Sequence, residues 1–159
     1  MTKKETVKFH PEKGEISILG RRGVLIDMAL CCEKLDNMLG SGAEVVLHHM
    51  WYGYGYQLFD SIIEKKETAV ELKALKKIVK ISACIGLGSL DFTIIGKKRP
   101  YVEVAVKNPP FKNEKGSAKR SVASFWAGVF SRYFEKKVTC EDFHYDKKED
   151  VFSFTLRQT

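Results

Sequence analysis

The chain has 159 residues, enough for one domain that buries its own core. Hydrophobic residues make up 44% and charged residues 30%, which excludes a disordered chain, and no run approaches the roughly 20 apolar residues of a membrane-spanning helix. The formal net charge of +7 raises a nucleic-acid or anionic partner, but the basic residues, such as Lys97-Lys98 and Lys136-Lys137, fall mostly at expected element ends or turns without any nucleic-acid-binding signature, so a solvated surface is expected and no nucleic acid.

Residues 1–15 are polar and read as a loosely attached arm without the apolar core of a signal peptide, so a cytoplasmic protein is expected. A single domain then fills 16–159, opening on a short edge strand at Ile16 to Leu19. From Arg22 to Leu39, Leu25, Met28, Ala29, Cys32, Leu35 and Met38 form one stripe of a first helix. Gly40 stops it, and Ser41 with Glu44 has the spacing of a capping box for a second helix over about Gly42 to Lys65. Gly53 and Gly55 weaken that helix by about 1 kcal/mol each, which points to a close approach by a neighbouring element or a ligand.

Thr68 to Glu71 is a second capping box, opening a third helix striped by Leu72, Leu75, Ile78 and Val79 that ends before Gly86. The period then changes to two. Leu90, Phe92 and Ile94, a turn at Gly96 to Pro100, and the alternation of Tyr101 to Val106 read as a β-hairpin. Asn108 to Ser117 is a breaker-rich loop, either the edge of a binding site or a connector. Ser121 to Phe134 returns to helical spacing and is expected to be the most buried helix, and strands at Lys137 to Tyr145 and Val151 to Leu156 close the chain. The order is ααα-ββ-α-ββ, an α+β domain with a four-stranded antiparallel sheet packed against four main helices.

Signals for chemistry are sparse. The four cysteines form no CxxC and read as buried thiols. Adjacent His48 and His49 point about 100° apart on a helix and cannot chelate one ion as a pair, so a partner-bonded histidine is expected. The glycines of Gly53 to Gln57 and of Gly86 to Ser89 lack the strand-to-helix setting of a phosphate loop. Cys140, Glu141 and His144 are all able to ligate zinc, but residues 141 and 144 fall on opposite faces of a straight strand, and joint ligation needs a bulge there. No nucleophile triad, redox pair or acid dyad stands out, which points away from catalysis.

The order of these pieces, with GRRGVLIDMALCCEKLDNMLG, AEVVLHHMWYGYGYQLFD, IGLGSLDFTII, SFWAGVFSRYF and VTCEDFHYDKKEDVFSF in succession, resembles the 4-vinyl reductase domain family over roughly residues 20 to 157. The resemblance implies a fold shared with subunits of the TRAPP vesicle-tethering complex, a homodimer formed through helices, and an apolar pocket for a hydrophobic small molecule. The family's metal-associated pattern is Glu-x-x-Cys, a Gly-Asp turn, Cys-x-Phe and a further cysteine before Phe-x-Ala-Gly. Here Glu141 matches, His144 stands for the first cysteine, and Phe152 and Ala123 replace the others. A zinc ion held by Glu141 and His144 would need further donors such as Cys140, His48 or His49.

The expected function is therefore a small-molecule-binding domain, carrier or sensor, for a hydrocarbon, aromatic or fatty ligand lined by Met50, Trp51, Tyr54, Phe125, Trp126 and Val129. Two alternatives stand beside it: a dimeric interaction scaffold in which the same side chains fill the pocket, and a protein with zinc near the C-terminal strands.

Overall fold

The computed structural model describes residues 7–13, 15–23, 26–63, 68–96, 100–111 and 117–159, with only the backbone described for 68–71. Ahead of the expected order lies a three-stranded antiparallel sheet made of β1 (Val7–His10), β2 (Glu15–Ile18) and β3 (Arg21–Gly23). The polar arm is thus partly strand over its described residues, and the expected edge strand is the middle one of three. Leu19 and Gly20 join β2 to β3 with positive φ at both positions, the geometry of a two-residue turn that matches strand twist. The register alternates two kinds of row: Val7 with Ile18 and Phe9 with Ile16 on one face, Lys8, Ser17 and Arg22 on the other.

The first helix, α1 (Met28–Leu39), begins later than its apolar stripe suggests, because Arg21 to Gly23 pair in β3. Asp27 caps it, its carboxylate accepting the Leu30 N–H at 3.0 Å. The expected capping box of α2 (Gly42–Asp60) is not formed: Ser41 itself has helical dihedrals and makes no side-chain cap, while Glu44 reaches Arg120 at 3.0 Å instead. Expected positions 64 and 65 of that helix lie outside the described residues, as do the side chains of the second capping box and the turn at 97–99.

After α3 (Thr68–Cys84), Gly86 takes a positive φ, the Gly86 N–H reaches the Ala83 carbonyl and the Leu87 N–H reaches that of Ser82. That pair of bonds is a Schellman stop, which only a residue at ease in the left-handed region closes cheaply. Gly88 follows, also at positive φ; a Cβ there would lie 2.6 Å from Val106 and 2.7 Å from the Lys107 carbonyl. One glycine ends the helix, and the other lets the next strand run close beside its neighbour.

The larger sheet has β4 (Ser89–Ile95), β5 (Tyr101–Lys107), β6 (Val138–Asp146) and β7 (Val151–Gln158) in the order β4-β5-β7-β6, all antiparallel. Val102, Val104 and Val106 with Phe152, Phe154 and Leu156 form its buried face. On that face lies α4 (Ala118–Phe134), with every residue from Ser121 to Ser131 buried. On its other side α4 meets α2 without intervening side chains. A Cβ on Gly55 would collide with the Phe125 carbonyl, and one on Gly128 with the Tyr52 carbonyl. The helix-weakening Gly55 is therefore a crossing point, whereas Gly53 has nothing within 4 Å of its notional Cβ.

Candidate functional site

Away from that crossing, α2 and the N-terminal sheet do not close completely on one another. The apolar sheet face supplies Val7, Phe9, Ile16 and Ile18; the start of α1, one face of α2 and the end of α3 supply the other walls. Between them lies a cavity of about 520 Å³, within the range of small-molecule sites and lined mainly by carbon. Leu87 reaches the wall because the Gly86 stop turns the chain there.

Burial acts on three of the polar groups in this wall. Among the described residues the buried Trp51 indole N–H has no acceptor, an unsatisfied donor of the kind that costs about 1–3 kcal/mol. Burial pushes the Tyr54 phenol above its ordinary value, with the charge of Arg21 partly opposing it. Burial likewise raises the Cys32 thiol, against hydrogen bonding from Ser121 and Ser117, and Cys32 Sγ lies 3.9 Å from Ser121 Oγ. Both forms favoured here are neutral, so the wall presents no fixed charge from these two groups. The expectation that all four cysteines are buried is corrected: Cys32 is, Cys31 and Cys140 are half-buried, and Cys84 is exposed at the cavity's α3 side.

Of the six residues expected to line a pocket, Met50, Trp51 and Tyr54 stand in the cavity wall. Phe125, Trp126 and Val129 do not; they are fully buried on α4, one layer behind. The layers touch through aromatic edges, Trp51 to Phe125 with centroids 6.5 Å apart, Tyr54 to Phe125 at 5.9 Å and Phe125 to Trp126 at 5.2 Å. The helical stripe of α4 could not distinguish a wall from the layer supporting it. The strand residues Val7, Phe9, Ile16 and Ile18 were missed, although their alternation with polar neighbours is a period-two signal. Pro110 puts the start of the breaker-rich loop at the cavity, while residues 112–116 lie outside the described ones.

The same arrangement of elements recurs in a solved structure of a sensory domain from the transcription activator PoxR, described as phenol-responsive and solved with phenol. The likeness covers 96% of this chain and 85% of that one with a TM-score of 0.71, at 12% identity. The two share one fold. Structural neighbours also include a vinyl-4-reductase family protein from Methanocaldococcus jannaschii, with TM-score 0.45, 17% identity and coverage of 69% and 68% of the two chains. Another is a trafficking protein particle complex subunit 3 from Naegleria fowleri covalently bound to palmitic acid, with TM-score 0.48, 16% identity and coverage of 84% and 95%. No protein-family model matches the sequence, and no curated protein matches it significantly.

Within this PoxR-like fold, the C-terminal strands carry the residues weighed for zinc. The pairing of β6 with β7 slips between Glu141 and His144, where Asp142 takes a positive φ, and this bulge brings both residues to the solvent-facing side of the sheet opposite Thr155 and Ser153. Glu141 is engaged there by Arg157, Nε to Oε2 at 3.1 Å. Cys140 pairs with Leu156 on the core-facing side, and burial raises its thiol strongly, which disfavours the thiolate a metal needs. His48 is held elsewhere, its Nδ1 2.8 Å from Ser124 Oγ. Among the described residues no group of three His, Cys, Asp or Glu is placed to hold a metal ion.

Proposed function

We propose that this chain is a ligand-binding domain that takes an apolar small molecule, aromatic or fatty, into the cavity between the N-terminal sheet and helices α1 to α3. The observation that carries this reading is the cavity itself: about 520 Å³ lined mainly by carbon, where each buried methylene of a guest contributes about 0.8 kcal/mol. The buried Trp51 N–H, without an acceptor among the described residues, supports a guest bearing one oxygen acceptor, which a small turn of the indole would meet. A sensory domain of the same fold that was solved with phenol is consistent with this chemistry. Carrier and sensor differ only in the fate of the bound guest, and the same cavity serves either.

Self-association belongs to this reading. Met38, Leu39, Val45 and Val46 are exposed around the α1–α2 turn, and a second copy is the partner proposed for that surface. Nothing in the described residues favours the zinc reading over it.

The test is native mass spectrometry beside a panel of phenols, alkanols and fatty acids followed by thermal shift, with wild type against Trp51→Ala and Val46→Glu. A cavity binder retains or takes up a guest and gains thermal stability as the guest saturates it. Trp51→Ala is expected to change which guests bind, and Val46→Glu to leave guests unchanged while shifting mass towards the monomer. Failure of every guest to bind or stabilise the folded protein would refute the reading.

A further inference from the structure

The rim of the cavity is apolar yet open to water. Phe9 is 56% exposed, Ile26 70% and Met50 52%, and all three also line the cavity. Leu30, one turn into α1 beyond Ile26, is exposed as well. Side chains that stand at the mouth of an apolar cavity and remain in water leave apolar area that the described residues do not cover.

Cations lie on both faces of the small sheet that carries part of this rim. Lys8 and Arg22 lie in one register row on the outer face of the N-terminal sheet, on either side of Ser17, and both are exposed. Arg21 lies in the row of Val7 and Ile18, on the cavity side, and its charge acts on the Tyr54 phenol in the wall. The described residues of this sheet and its turns hold four basic side chains, with Lys13, against Glu12 and Glu15. Glu12 faces His10 at 3.6 Å, and Asp27 at the rim is committed to capping α1.

We infer that this rim is a docking surface for an anionic lipid bilayer, with Phe9 and Ile26 entering the headgroup boundary and Lys8, Arg21 and Arg22 meeting lipid phosphates or carboxylates. Charge complementarity selects this partner: basic side chains beside exposed apolar ones is the pattern that anionic membranes attract. The cavity then opens towards the phase in which apolar molecules are most concentrated. The inference rests on the cavity reading for its purpose, but docking itself needs only the rim.

The experiment is co-sedimentation of the full chain with phosphatidylcholine vesicles and with mixed phosphatidylcholine and phosphatidylserine vesicles, in low and in physiological salt. Binding is expected on the mixed vesicles and is expected to fall with salt. Each of Lys8→Glu, Arg21→Glu and Arg22→Glu is expected to weaken it about fivefold or more. The pair Phe9→Ser with Ile26→Ser is expected to remove the part that survives high salt, with circular dichroism confirming the fold. Equal binding to both vesicle types, no binding to either, or a lipid-free dimer that the Phe9 and Ile26 substitutions dissolve would overturn the proposal. Guest uptake from aqueous solution, measured without vesicles, reports on the cavity alone, so the two readings fail separately.

Discussion

Three glycines of α2 and α4 have two different physical roles, and single substitutions separate them. Gly55 and Gly128 sit where α2 and α4 touch backbone to backbone, so a methyl on either meets a carbonyl oxygen that cannot swing away. Gly55→Ala and Gly128→Ala are each expected to cost about 3 kcal/mol or more, read as a lower urea midpoint. Gly53, with open space around its notional Cβ, should behave oppositely. Gly53→Ala is expected to gain about 1 kcal/mol from helix propensity alone. His48 supplies a pH dependence. Burial first, then the charges of His49, Lys137 and Arg120, hold its imidazole below the ordinary 6.5, and Ser124 and Tyr52 complete its surroundings. The fold favours the neutral ring, so the stability this residue contributes is whole above the unfolded value. It is lost as pH falls from there through the depressed folded value. The urea midpoint of His48→Gln is expected to decline less than that of wild type over this acidic window.

At the scale of elements, α1, α3, α4 and the strands β4, β5 and β7 were legible because their apolar residues recur at one clean period, whereas α2 was read from a broad apolar face without one. In α4 the signal was strong enough to announce the most buried helix, and Val102, Val104 and Val106 declared the inner face of β5. The N-terminal sheet was read less well. Its strands have only three or four residues each, and basic side chains interrupt them, so composition overruled a short period-two pattern. The cavity suffered from the same limit, since part of its wall comes from those strands. Spacing along α4 also could not tell Phe125 from Trp51, because both belong to apolar stripes and only the third dimension ranks them in layers. Deleting residues 1–23 is expected to leave cooperative unfolding, carried by α4 and the larger sheet, while abolishing guest uptake. Thermal melts and native mass spectrometry on the shortened chain would check both halves.

For the whole molecule, the aromatic side chains run from the cavity into the centre without a gap. Beyond Phe125 and Trp126 the series continues to Phe130, which meets Phe92 of β4 with centroids 5.4 Å apart. Trp126→Ala is therefore expected to cost about 3–5 kcal/mol through the hole it leaves, against a smaller loss for Trp51→Ala, whose side chain already borders open space. Comparing the two by chemical denaturation tests whether the core is closed behind the cavity wall.

The crossing of α2 on α4 also fixes how α2 can move. It is held along its length: Glu44 to Arg120 at 3.0 Å and His48 to Ser124 at 2.8 Å tie it to α4 ahead of the backbone contacts at Gly55 and Gly128, and Asp60 to Arg132 at 2.7 Å ties it beyond them, so α2 moves only together with α4 at the crossing. Trp51 and Tyr54 lie just N-terminal to it, bordering the cavity, and Val45 and Val46 lie further out along the same helix with their side chains in water. A guest that presses on the indole therefore pushes against α2 and α4 together. The helix pair is in that sense one stiff plate, with the cavity wall on one part of it and the surface where a second copy would sit on another.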